Sequence, residues 1–397
     1  MRSALAALLV LCAAVPSSAE TCLVLPFHNL SSDPNLSWIG ESLSASVQEA
    51  LASEGIIVLD RQAREEAFRR LSVRPAVQLT RATIVRIGES LDADQVIYGT
   101  FGFTEPGDPA LRKIQGTLRV EAHVLNLRKT SQGPQFSETG ALEDLARLQN
   151  HLAWQSLRIV MPDSAPSEEA FRASRPVIRV DAIESFIRGL LSPAPDSKLR
   201  LISQAARLDP RYSQAHFELG RIHFNQKSWK AASESFLKVP ASDVFFREAT
   251  FFLGLCRYRL GEFTSAAKAF QTVAESVPLN EVWNNLGAAQ SRSSQSEALA
   301  SFQKALEGDP GDPDYHFNVG YLLFRKGELD EAAERFRAVL DRRPDDTEAT
   351  TLLGRSLKKV PGKIVPTLPD GLERLKESYE ESVWLQLKAV LEPRRSK

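Results

Sequence analysis

The sequence predicts an α/β domain, a mixed sheet with helices, followed by an all-α solenoid. Three observations carry that prediction. Strand-like and helix-like apolar patterns alternate from Leu23 to about Val160. A stretch rich in Pro, Ser and charge, Met161 to Pro176, then breaks the apolar period. Beyond it Gly220, Gly254, Gly287, Gly320 and Gly354 recur at intervals of 34, 33, 33 and 34 residues. A repeat near that length is the signature of stacked units that cannot bury their apolar faces alone.

The chain opens like an export signal, residues 1–19. Arg2 supplies the positive start, Ala4 to Val15 the apolar stretch, and Ser17-Ser18-Ala19 a small-residue cleavage site before Glu20. No later segment reaches the roughly 18 apolar residues of a membrane-spanning helix. Leu11 and Thr21, rather than small residues, precede Cys12 and Cys22, which argues against a lipid anchor. The expected product is exported, periplasmic or envelope-associated, with Cys22 and Cys256 as separate thiols in different domains. Across all 397 residues the formal net charge is −1, which argues against a sequence-independent nucleic-acid binder.

Within residues 20–160, Leu23-Val24-Leu25 is a short apolar run suited to a buried strand. The stretch LVLPFHNLSSDPNLSWIGESL then passes through a polar loop into a helix. Asp33-Pro34 reads as its start, because Asp caps free amides and Pro tolerates the first turn. Ile56 to Leu59 reads as a strand, Arg61 to Leu71 as a helix, and Thr80 as the cap of another helix. Val96 to Phe103 predicts a strand. Leu118, Val120, Ala122 and Val124 alternate with Arg119, Glu121 and His123, as in a half-exposed strand. A Gly-Pro turn at Gly133 leads to a shorter strand, and Leu142 to Val160 closes the domain as a helix. Residues 161–177 read as a linker.

Residues 178–391 form the predicted array, with 392–397 as a short tail. Ala232/Phe236, Ala266/Phe270, Ala298/Phe302 and Ala332/Phe336 follow the first four glycines, and Pro210, Pro278, Pro310 and Pro344 close units. Gly and Ala let paired helices approach, Phe fills the space between them, and Pro stops the second helix. YHFNVGYLLFRKGELDEAAERFRAVLDRRPDD (Tyr315 to Asp346) resembles a tetratricopeptide repeat (TPR), as do the units opening near Ser213, Ala249 and Glu281. The third unit lacks one residue in the turn around Ser293. A degenerate unit, Ile178 to Asp209, precedes them. The last opens with TLLGRSL, and Leu372 to Leu391 reads as a charged helix capping the array. More weakly, VLPFHNLSSDPNLSWIGESLSASVQEAL, VLDRQA and IGESLDADQVIYGTF resemble the TolB amino-terminal-like α/β domain. That domain is often joined to TPRs in bacteria and has relatives in envelope assembly.

No nucleotide-loop, serine-hydrolase, zinc-protease or CxxC pattern is present, so the chain reads as non-enzymatic, with no cofactor and no metal. His216, His223 and His316 fall where TPRs carry packing aromatics. GDPGDPD (Gly308 to Asp314) has a calcium-loop composition, but a closing proline and a helix start account for it. The asparagine sequons at Asn29 and Asn35 read as turns.

The TPR resemblance implies that helix A positions 2, 5, 9, 12 and 13 face a concave groove. Position 2 holds Gln214, Glu248, Glu281 and Asp314; position 5 holds Phe217, Phe251, Asn284 and Phe317. Tyr321 is at position 9 of the fourth clear unit. Position 12 holds Phe224, Tyr258, Ser291 and Phe324, and position 13 holds Asn225, Arg259, Arg292 and Arg325. An acidic row and an arginine row with aromatics between them suit a protein or peptide partner. The TPR pattern of Lys and Asn that clamps a terminal carboxylate is missing, so an internal segment or a protein surface is expected. The expected function is therefore an envelope adaptor that binds a partner segment in this groove. The alternative is a small-molecule sensor in which the α/β domain binds a ligand and the repeats relay it.

Overall fold

The computed structural model describes residues 21–74, 77–104, 116–129, 131–360, 372–380, 383–384 and 387. The expected signal, residues 1–19, and the tail, residues 392–397, lie outside the described residues. Strand β1 (Thr21–Val24) runs parallel between β3 (Ile57–Val58) and β4 (Gln95–Thr104). β5 (Thr117–Asn126) and β6 (Ser131–Ala141) continue the sheet antiparallel, giving the order β3-β1-β4-β5-β6, with β2 (His28–Asn29) beside β4.

Alternation along the strands sends side chains to two covered faces. Leu23, Leu25 and Val96 meet Phe68, Ile84 and Ile87 from α2 (Arg61–Arg70) and α3 (Arg81–Glu89). Cys22, Val24, Ile97 and Val120 lie in the core shared with α1 (Trp38–Ser53) and α4 (Leu145–Val160). Asp33 caps a single 3-10 turn, Pro34–Leu36, and the α-helix begins only at Trp38. Within the first turn of α1, Gly40 allows a close approach to the preceding loop, since a Cβ there would stand 1.9 Å from the Phe27 carbonyl oxygen. The Gly-Pro pair at Gly133 does not make the turn; it lies inside β6, which is as long as its neighbour, and the chain reverses at 127–129.

Residues 161–177 carry a short helix, α5 (Glu168–Ala173), whose Phe171 is buried in that same core. The core continues into α6 (Val180–Leu191) and α7 (Pro195–Leu208) through Phe186, Ile187 and Ile202. The α/β domain and the first helical pair are therefore one packed body. Cys22 lies in this core and Cys256 in that of the array, with no disulfide between them.

The array continues as helical pairs: α8 (Ser213–Asn225) with α9 (Trp229–Phe236), α10 (Phe246–Arg259) with α11 (Phe263–Ala274), α12 (Asn280–Arg292) with α13 (Ala298–Gly308), and α14 (Pro313–Lys326) with α15 (Leu329–Leu340). Helix α16 (Thr347–Leu357) follows. In each pair the repeating glycine faces the phenylalanine of its own second helix: a Cβ on Gly220, Gly254 or Gly287 would fall 2.6–2.7 Å from the ring. The missing residue of the third unit can be placed. Lys227, Gly261, Ser294 and Gly327 all adopt positive φ, each seven residues after the unit's glycine. The next landmark alanine follows at 5, 5, 4 and 5 residues (Ala232, Ala266, Ala298, Ala332), so the gap lies between Ser294 and Ala298.

The C-terminal segment departs from expectation. Residues 372–380 carry no helix and do not stack beyond α16; they lie in the concave groove of the array. Their composition favours helix, but their backbone groups are taken by side chains of α12 and α14.

Candidate functional site

The groove is lined by the first helices of successive pairs, and it holds the segment Leu372–Glu380 through backbone as well as side chains. Asn318 of α14 accepts from the Arg374 amide (2.8 Å) and donates to the Arg374 carbonyl (2.8 Å). Asn285 of α12 does the same for Lys376, at 2.8 and 2.7 Å. Residues two apart in an extended chain point their amides and carbonyls the same way, so two asparagines suffice to read alternate residues. Asn284 adds a bond to the Arg374 carbonyl (2.8 Å) and accepts from Asn318 (2.7 Å). All three asparagines are fully buried.

Side-chain contacts run along the segment in order. Glu373 is buried and accepts from Arg325 (3.2 Å), Ser291 (3.0 Å) and the Tyr258 hydroxyl (3.5 Å). Arg374 lies 3.6 Å over the Phe317 ring and forks onto Asp346 at 2.6 and 2.9 Å, with Glu348 at 3.2 Å. Lys376 sits between Asp312 (2.7 Å) and Asp314 (2.8 Å). Glu377 pairs with Arg259 at 2.6 Å, and the Glu380 amide donates to Glu281 at 3.2 Å. Tyr379 meets Phe251 edge-on at 5.2 Å and stacks on Trp384 at 4.2 Å. Trp384 is 1% exposed and donates to Glu248 at 2.9 Å. The segment thus passes from α14 and α16 back to α10, against the order of the repeats.

The electrostatics follow from these pairs. Burial alone would push the Asp314 and Asp346 carboxyls up, but Lys376 and Arg343 at the first and Arg374 at the second hold both below the ordinary aspartate value. Burial would likewise lower Arg374 and Lys376, and their carboxylates instead hold both above their ordinary values.

Most residues expected in the groove are therefore brought together around one extended strand: Phe251, Tyr258, Arg259, Glu281, Asn284, Asp314, Phe317 and Arg325 touch it, and Glu248 meets Trp384 beyond its end. The other expected residues make ring contacts within the array. Arg292 lies over Phe263, Tyr321 stacks on Phe317, and Phe324 is buried beneath Arg355. The first clear unit belongs elsewhere: Gln214 bonds Glu49 of α1, Phe217 stacks on Phe245, and Phe224 packs on Trp229. Residue choice by position overlooked Asn285 and Asn318, one place beyond position 5, as well as Asp312, Asp346 and Glu348. The available signal was an asparagine in the apolar body of a helix, where its amide needs a partner.

His216 and His316 each bond the carbonyl of a closing proline, Pro210 and Pro310, at 3.0 Å. In GDPGDPD the cation beside Asp312 and Asp314 is the Lys376 ammonium. No cluster of metal-binding side chains occurs among the described residues. In the opening loop Asn29, Ser31 and Asp33 bond one another and Asn35, so the loop is a self-satisfied turn. A surface depression of about 650 Å³ beside β6 and α4 is lined by Glu138, His151, Glu168 and Arg172. No described helix is long and apolar enough to cross a membrane.

Fold and groove define a class: a repeat solenoid whose inner surface can hold an extended chain. The repeats themselves match the model of the tetratricopeptide repeat family over residues 199–243, 241–281, 288–347 and 317–357, all within the helical array. Among curated proteins, the CTR9 homolog of Arabidopsis thaliana is 32% identical over 124 residues, which span 30% of this chain and 11% of that protein. Among solved structures, YrrB, described as a TPR protein with an unusual peptide-binding site, is 24% identical and matches 43% of this chain and 91% of its own, with a TM-score of 0.40. MamA from Desulfovibrio magneticus RS-1 is 24% identical over 40% of this chain and 92% of its own, with a TM-score of 0.37.

Proposed function

We propose that this protein is a non-enzymatic, exported adaptor of the bacterial envelope that binds a segment of a partner protein in the concave groove of its repeats. The observation that carries the reading is the asparagine clamp. Asn285 and Asn318 each satisfy both backbone groups of one residue in an extended strand, which is recognition of a chain as such. Charged and aromatic side chains on either side then supply specificity. Export rests on the amino-terminal sequence and on the resemblance of residues 20–160 to the TolB amino-terminal-like domain.

The test is site-specific photo-crosslinking from Ser291 in the native envelope. A partner adduct that forms with the wild type and disappears with Asn285→Ala/Asn318→Ala is the expected result. Adducts confined to the protein's own C-terminal segment, or a partner adduct untouched by the double substitution, would refute it.

A further inference from the structure

Resting on that reading, we infer that Leu372–Glu380 is a built-in competitor whose sequence mimics the partner. The segment the groove accepts is extended, with an acidic residue, basic residues one and three positions later, a second acidic residue at four and an aromatic at six. Glu373, Arg374, Lys376, Glu377 and Tyr379 present that order, and each meets an oppositely charged or aromatic counterpart on the groove wall.

Three features distinguish this segment from a structural cap. It contributes no helix to the stack over residues 372–380, whereas α8 to α15 form four helical pairs. Its backbone is held by side-chain amides, a mode indifferent to which chain supplies the strand. Its Glu373, Arg374, Lys376 and Glu377 are all ion-paired on the groove wall, beside the packing of Leu372, Leu375 and Tyr379 on the core of the array. A permanent core element gains little from burying charges, because their desolvation offsets much of the attraction. Charge pairs do, however, choose among competing partners and set how fast they exchange. The charges are also sorted: Asp312, Asp314, Asp346 and Glu348 surround the basic pair, while Arg259 and Arg325 receive the acidic residues. A partner lacking this order would bring like charges together in a half-buried groove.

The probe is a fluorescent synthetic peptide of residues 371–387, titrated into the full-length chain by anisotropy. In Arg374→Glu/Lys376→Glu the chain's own segment is repelled by the aspartates, and the groove should take the wild-type peptide at least ten-fold more tightly than the unsubstituted protein does. A peptide carrying the same two substitutions should not bind. Equal affinity in both proteins would overturn the competitor while leaving the groove as a binding site. No binding by a folded variant, checked by circular dichroism, would overturn the mimicry, and the envelope crosslink would still decide the proposed function. Should the variant not fold, hydrogen exchange on the wild type serves instead: excess peptide should expose the amides of residues 372–380, and unchanged protection would refute the inference. Protection that grows with protein concentration would place a second copy's segment in the groove and overturn the intrachain competitor.

Discussion

Asn318→Ala separates docking of the C-terminal segment from stability of the repeats. The amide of Asn318 makes two 2.8 Å bonds to Arg374 and one of 2.7 Å to Asn284. Neutral hydrogen bonds contribute about 1 kcal/mol each, and a buried backbone group left unpaired costs about 1–3 kcal/mol. The loss to docking is then about 2–4 kcal/mol, or roughly 30- to 1,000-fold in the equilibrium between docked and released segment. Alanine is the better helix former, by up to about 0.7 kcal/mol, so α14 itself has no reason to weaken. Hydrogen exchange read by mass spectrometry should show residues 372–380 exchanging faster by a comparable factor while α14 and α15 keep their protection. Unchanged exchange in the segment would mean that the clamp contributes nothing. Simultaneous loss across the array would mean that Asn318 serves the fold rather than the groove.

Arg325→Glu sets a second carboxylate against buried Glu373, now 3.2 Å from the guanidinium, and should release the segment at least as fully; limited proteolysis within 372–380 would report it. Docking should also weaken in acid. Because Asp314 and Asp346 are held below the ordinary aspartate value, their contribution is complete above that value and is lost as the pH falls through the depressed one. The raised Lys376 gives the opposite limb: its contribution is complete below the ordinary lysine value and is lost as pH rises through the docked one. A spin label on Ser378→Cys should therefore be immobile near neutrality and mobile in acid, with native Cys22 and Cys256 both buried away from the label. Immobility throughout the acid range would contradict the assignment. Finally, Gly287→Ala would drive a methyl to within 2.6 Å of the Phe302 ring and should destabilise the array by about 1–3 kcal/mol in urea titration. Gly354→Ala, with no described atom within 4 Å, should be neutral or gain up to about 1 kcal/mol. Equal effects at the two positions would contradict the packing account.

The array was legible because its constraint is periodic. Only a glycine can face Phe302 or Phe270 so closely, and the same requirement returns in each pair at the same interval. Groove lining was legible to the extent that helical periodicity fixes a stripe: Phe251, Tyr258, Arg259 and Asp314 fell where the stripe put them. Asn285 and Asn318 did not, because their side chains turn toward the groove from beside that stripe. Least legible was the segment Leu372–Glu380. Glu, Arg, Leu and Lys favour helix locally, and the groove overrides that preference by engaging the amides and carbonyls of Arg374 and Lys376 from outside. Residues 161–177 misled for the opposite reason: a polar, proline-bearing stretch hides Met161 and Phe171, which anchor it.

A solenoid is close to a one-dimensional chain, in which each unit is stabilised only by its immediate neighbours and unfolding can begin at any weak link. The strand laid from α16 back to α10 ties together helices far apart in the stack: Arg374 reaches Asp346 at one end and Tyr379 reaches Phe251 at the other. While it is in place, fraying of one pair must also break contacts held by units two and three places away. Its departure returns the array to nearest-neighbour coupling, so occupancy of the groove sets how cooperatively the repeats melt and how stiffly they hold their curvature.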